Sequence, residues 1–153
     1  MMMIRALALL SGFAMSTTAI CTAHAGTYEW TSGYAQGVAE YLVDDGNGNE
    51  LNISCPDDDE SPVVAYATIA SNQYSSDDGV GFDVIIDGTS YSNPFFTDCR
   101  ACSANFPGFW SALRRANNLQ ISAGGKSLTL PTKNLKSLLL PFDNKQNLCR
   151  SAW

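Results

Sequence analysis

The sequence predicts a mainly β fold: an antiparallel β-sandwich or curled sheet with two short helices, held by disulfides. Three observations predict it. Short runs of alternating apolar and polar residues recur between turns rich in Gly, Asn, Asp and Ser. Helical spacing of apolar residues is confined to two places, residues 106–116 and 133–140. An even set of cysteines, Cys55, Cys99, Cys102 and Cys149, follows an export-type leader.

The leader is read over residues 1–25. Arg5 supplies a positive start, residues 6–15 form an apolar run, and Ala23-His24-Ala25 places small residues where a signal peptidase requires them. The run is shorter than the ~20 residues a bilayer span needs. Ile20 is bulky where lipid attachment at Cys21 would require a small residue. Residues 26–153 then form one β-rich domain. Removing the leader removes His24, the only histidine, and with it Ser-His-Asp and Cys-His catalysis and histidine-ligated metal sites.

Tyr28-Glu29-Trp30 opens the domain as a short edge strand or arm. Residues 36–43 and 51–55 alternate with period two around the turn Asp45-Gly46-Asn47-Gly48-Asn49, which makes a hairpin. That turn has carboxamide and carboxylate groups at alternate positions, but Glu50 and Pro56 stand where a calcium loop needs Gly and Glu. An acidic loop, Pro56-Asp57-Asp58-Asp59-Glu60-Ser61-Pro62, separates the hairpin from a strand over residues 63–69. Residues 71–78 read as a polar loop. Val80, Phe82, Val84 and Ile86 share one face of the next strand, and Asp87-Gly88 turns it into a fifth strand, residues 89–95.

The stretch 96–116 is the hinge of the chain. It holds Cys99 and Cys102, a Pro-Gly break, and the densest aromatic cluster. Pro107 suits the first turn of a helix that starts at Asn105 or Phe106. Phe106, Phe109 or Trp110, Leu113 and Ala116 then face the core, and Arg114 and Arg115 face water. Two strands joined through Gly124-Gly125 follow. Pro131-Thr132 caps a last helix that Pro141 stops. Phe82, Val84, Ile86, Trp110, Leu113, Leu128 and Leu130 are expected to be buried together.

The charges are segregated. Fourteen acids and no Lys or Arg lie in residues 26–98, against eight basic residues and one acid, Asp143, in residues 99–153. This net acidity argues against nucleic-acid affinity. Cys99-Arg100-Ala101-Cys102 has the spacing of thiol oxidoreductases, whose first cysteine sits at a helix N-terminus inside a βαβ unit. A run of antiparallel strands precedes it here, so a structural disulfide is the expectation. One CxxC also lacks the paired spacing of a zinc ribbon. Cysteines three apart can meet across a tight turn, which predicts Cys99–Cys102 and leaves Cys55–Cys149. Gly124-Gly125-Lys126-Ser127 ends like a phosphate loop, but Gln120 occupies the position of its first glycine. No spacing singles out a glycosidase-type acid pair. The sequon Asn52-Ile53-Ser54 lies within a predicted strand.

Residues 80–88 (VGFDVIIDG), Phe96-Thr97-Asp98-Cys99, Cys102-Ser103-Ala104, the helix ending Ala112-Leu113-Arg114-Arg115-Ala116 and residues 130–135 (LPTKNL) resemble the invasion-associated locus B family of exported bacterial proteins. The resemblance spans about half of the domain, residues 80–140. It implies a secreted β-sandwich, a place near the cell envelope and host interaction, and no established enzymatic activity. The Cys99–Cys102 spacing is tighter than that family's pattern.

The expected function is a periplasmic or secreted binding or accessory protein, without catalytic residues, cofactor or metal. Its expected partner is an envelope or host protein, cationic because the acids Asp57, Asp58, Asp59, Glu60, Asp77 and Asp78 would steer it. An inhibitor or immunity protein against a cell-wall hydrolase is the first alternative, and Ser32-Gly33-Tyr34, read as a loop, resembles loops of lysozyme inhibitors. A CxxC thiol–disulfide exchange enzyme or a carboxylate-based hydrolase of the envelope is the rival from another class.

Overall fold

A computed structural model describes residues 26–58 and 60–153. The expected leader, with Cys21 and His24, and Asp59 of the acidic loop lie outside the described residues. Two antiparallel sheets make up the fold. The larger has five strands in sequence order, β1 (Thr31–Ala35), β2 (Val38–Asp44), β3 (Glu50–Pro56), β4 (Val64–Ile69) and β5 (Asn72–Ser75). The smaller has four strands in the order β7-β6-β8-β9, made of β6 (Asp83–Ile86), β7 (Thr89–Tyr91), β8 (Leu119–Ala123) and β9 (Lys126–Leu130). A 15-residue helix, α1 (Arg100–Arg114), links β7 to β8, and a single turn, α2 (Leu135–Leu138), follows β9.

Period-two patterning places the core. Ala39, Tyr41 and Val43 of β2 stand opposite Cys55, Ile53 and Leu51 of β3, and all six are buried. Ala65, Ala67 and Ile69 extend that face onto β4, which meets β8 and β9 of the second sheet. The small alanines of β4 allow this approach. Val84, Ile86, Leu119, Ile121 and Leu130 form the facing layer. Phe106, Phe109, Trp110 and Leu113 lie on one face of α1 at helical spacing and join the same cluster. Indole N–H groups pin the layers. Trp30 donates to the Pro131 carbonyl at 3.0 Å, and Trp110 donates to the Leu140 carbonyl at 2.8 Å.

Both disulfides pair as the spacing predicts. Cys55–Cys149 is buried and ties β3 to the tail across a separation of 94 residues. Cys99–Cys102, three residues apart, is half-buried. In a chain-entropy account the long ring stabilises by ~4–5 kcal/mol and the short one by only ~2 kcal/mol.

Several expectations are corrected. Seven strands, not five, precede α1. Residues 71–78 hold β5, because Ala70 and Ser71 both take positive φ (48° and 67°) and turn the chain without a glycine. Gln36 begins a turn rather than a strand, since Gln36 and Gly37 are both at positive φ. Ser32-Gly33-Tyr34 lies in strand β1, not in a loop. Val80 is 87 % exposed, because β6 starts only at Asp83, after Gly81 at φ 55° breaks the extended run. Residues 92–95 leave β7 at the turn where Asn93 takes φ 38°. Leu128 is half-buried against the core rather than inside it. Arg114 does not simply face water, as its Nε donates to the Leu139 carbonyl. The second helix covers Leu135–Leu138 only, with Asn134 rather than Thr132 at its N-cap.

In the β2–β3 turn the acids are engaged by the turn itself. Asp45 accepts from the backbone N–H groups of Asn47 and Asn49 and from the Asn49 side chain. Partial burial opposes its ionisation, yet these hydrogen bonds prevail and hold its pKa below the ordinary 3.8. Asp44 behaves alike through Thr27 and Gly46. A carboxylate depressed on folding stabilises the fold above its unfolded pKa, and that stability fades as pH falls from 3.8 through the lower folded value. The melting temperature should therefore decline as pH falls below about 4. Asp45→Asn should lower it at neutral pH and flatten the acid limb, and thermal melts across pH would show both. Trp110→Ala should destabilise by ~3–5 kcal/mol in urea titrations, because it empties the largest side chain from the helix–sheet junction.

Candidate functional site

A cavity of about 690 Å³ opens where β7, the segment after it and α1 meet Gly79, in the loop that follows β5. Tyr91, Phe96, Phe106 and Phe109 give it aromatic walls, with Pro94 and the Cys102 side of the short disulfide beside them. Ser92, Asn93 and Asn105 supply the polar groups. Among the described lining residues none is charged.

The aromatic walls are set by stacking within the core. Phe95 meets Phe109 edge-on at 5.0 Å and Phe106 at 6.5 Å, and Tyr91 packs on Phe109 at 5.3 Å. Because Phe95 turns inward and is buried, its neighbours Pro94 and Phe96 are left to line the opening. Asn93 fixes the turn that does this. Its Nδ2 donates to the Ser76 carbonyl at 2.9 Å, and its backbone carbonyl accepts from the Phe96 N–H at 3.1 Å. Its Oδ1 is buried without a hydrogen-bond partner among the described residues. The Asn93 carboxamide sits on Gly81, where a Cβ would come within 2.1 Å of its Cγ.

The helix begins at Arg100, five or six residues earlier than Pro107 suggests. Cys99 is its N-cap, with φ −142° and ψ 148°, and the Cys99 sulfur accepts from the Cys102 backbone N–H at 3.0 Å. The CxxC therefore does occupy a helix N-terminus, contrary to the sequence expectation, although every sheet pairing around it is antiparallel. Pro107 lies inside the helix. The tail closes over this end of α1. Ala152 donates to the Thr97 hydroxyl, and the Ser103 hydroxyl accepts from the Trp153 N–H and donates to its carbonyl.

The acidic segments leave one end of the larger sheet. Val38 pairs with Pro56, Ser54 with Val64 and Tyr66 with Ser75, so the loop from Asp57 and the residues Asp77 and Asp78 emerge side by side. Asp57, Asp58, Glu60, Asp77 and Asp78 are exposed. Asp77 and Asp78 directly precede Gly79 of the cavity wall. Asp58 accepts from the backbone N–H groups of Ser61 and Glu60, which hold its carboxyl below the usual range with help from nearby Arg150. Asp57 accepts from the Tyr34 hydroxyl at 2.9 Å, and that bond raises the phenol's pKa. Lys133 pairs instead with Glu29 at 2.7 Å. Sequence reasoning found these acids and the cysteines but missed the cavity, whose walls come from three separated segments.

These features define a disulfide-bonded two-sheet β protein with an uncharged aromatic cavity at its helix–sheet junction. The chain belongs to the YfjT family, whose sequence model matches residues 28–139. One relative is the Escherichia coli (strain K12) protein named "Uncharacterized protein YfjT", 33% identical over 93 residues. That alignment covers 56% of this chain and 60% of the relative, so the match spans less than two thirds of its length. No solved structure matches the chain. The family match corrects the resemblance to invasion-associated locus B proteins: the stretches from residue 80 onward that suggested it fall almost wholly within the segment matched to YfjT.

Gly81→Ala should be poorly tolerated, since φ 55° and the contact with Asn93 both oppose a Cβ. A loss of ~1–3 kcal/mol in denaturant titration, with altered near-ultraviolet dichroism from the surrounding aromatics, is the expected result.

Proposed function

We propose that this chain is an exported binding or accessory protein of the bacterial cell envelope, periplasmic or secreted, and not an enzyme with its own turnover. It holds a segment of a cationic partner protein, taking an apolar side chain into the cavity while basic neighbours face Asp77 and Asp78. The observation that carries this reading is the uncharged aromatic cavity bordered by that acidic rim. Export is supported by the leader pattern and by the two disulfides, which persist in oxidising compartments. Among the described residues no helix is long and apolar enough to cross a membrane. The loop from Asp57 to Glu60 adds to the same field, which extends ~8 Å at physiological salt.

The test is comparative retention of envelope proteins on the immobilised mature chain. Ala101 is exposed on the first turn of α1 and lines the cavity, so Ala101→Trp sets a bulky ring at the cavity from a position outside the core. A partner should be retained by the native protein and lost with Ala101→Trp. Its binding to Asp77→Asn/Asp78→Asn should weaken most at low salt. Retention that ignores both changes would remove the cavity from the account.

A further inference from the structure

The two disulfides differ in the properties that govern exchange. Cys55–Cys149 is buried at both ends, and it joins distant parts of the core. Cys99–Cys102 is half-buried, closes a ring too short to constrain the unfolded chain strongly, and puts Cys102 into the cavity wall. Its other sulfur caps a 15-residue helix and accepts the Cys102 N–H at 3.0 Å. A thiolate formed at Cys99 would meet that donor and the positive end of the helix dipole, and no acidic residue is present among the described first-turn residues. A stabilised thiolate is a good leaving group, which speeds attack on the sulfur bonded to it. Cys102 thus lines the cavity, and the Cys99 sulfur is prepared to leave.

We propose that Cys99–Cys102 is an exchange-active disulfide that captures a cysteine thiol of the bound partner on Cys102, with Cys99 as the leaving thiolate. The inference rests on the cavity being a site for a partner protein segment. The partner thiol loses its proton to solvent, and its thiolate attacks Cys102 Sγ. The Cys99–Cys102 bond breaks as the partner–Cys102 bond forms, and the electron pair stays on Cys99, held by the Cys102 N–H. A second partner thiol then attacks the partner sulfur of this mixed disulfide. It forms a partner disulfide and releases Cys102 as thiolate. Two electrons have then passed from the partner dithiol to the Cys99–Cys102 pair, which is left reduced after this single exchange.

The test uses reduced glutathione as the thiol, on the native mature protein without denaturant, with acid quenching, alkylation and peptide mapping. Cys99–Cys102 should open at least tenfold faster than Cys55–Cys149, with glutathione on Cys102 and alkylation on Cys99. Cys99→Ser keeps an N-capping oxygen, so the helix start survives. With oxidised glutathione this variant should accumulate the adduct on Cys102. Ala101→Trp should slow exchange several-fold. Equal opening of the two disulfides would overturn the inference, as would an adduct on Cys99 in the native protein or no effect of Ala101→Trp. Each of these outcomes is separate from partner retention on the column: exchange without retention would sink the binding reading and with it the capture of a partner thiol, whereas retention without exchange would sink the capture step alone.

Discussion

The structure depends on the aromatic face of α1, a wedge driven into the core that the two sheets share. Phe106, Phe109, Trp110 and Leu113 supply a continuous apolar stripe, and Phe95 meets it with Phe82 packed against Phe95 in turn. A four-stranded sheet with strands of three to five residues buries too little by itself to hold its position. The wedge supplies that area, and Trp110 and Arg114 extend its reach by hydrogen bonding to the chain just after α2. The cavity is a consequence of the same packing. Phe95 is drawn inward to the wedge, so the residues on either side of it stand clear of the core and leave a recess beside the helix.

Much of this was legible in the sequence where local chemistry and tertiary context agree. Asp87-Gly88 and Gly124-Gly125 are turn pairs that favour positive φ, and the hairpins form there. Val84, Ile86 and Leu130 alternate as core strands should. The misses have identifiable causes. Ala70-Ser71 and Gln36 adopt positive φ although their side chains do not favour it, so β5 and the β1–β2 turn carried no warning. Pro107 read as a helix start because proline suits a first turn, whereas the chain places it inside α1 and begins the helix on a cysteine cap. The cavity had no linear signal, since its walls at residues 79, 91–96 and 101–109 meet only through the fold.

The charge segregation has a structural outcome that composition alone leaves open. Strand order places the two acidic segments at one end of the larger sheet. The cationic C-terminal half does not cover them uniformly: Lys133 is spent on Glu29 at the other sheet's junction, and Arg114 on a backbone carbonyl. Arg150 approaches Asp58, because the tail runs beside Val63, whose N–H donates to the Arg150 carbonyl at 2.9 Å. Part of the acidic surface is therefore internal scaffolding, and Asp77 and Asp78 are the portion next to the cavity.

The buried link between Cys55 and Cys149 also determines how this domain would carry a mechanical load. A pull on the two ends of residues 26–153 passes through the link and bypasses the chain between its cysteines, which stand 94 positions apart. Only residues 26–55 and the last few residues can then be drawn out, which limits the extension to roughly 120 Å at ~3.5 Å per residue. β1, β2 and β3 would peel away first. The recess, α1 and the whole second sheet lie inside the shielded loop and would stay folded under tension, for as long as that one covalent bond remains closed.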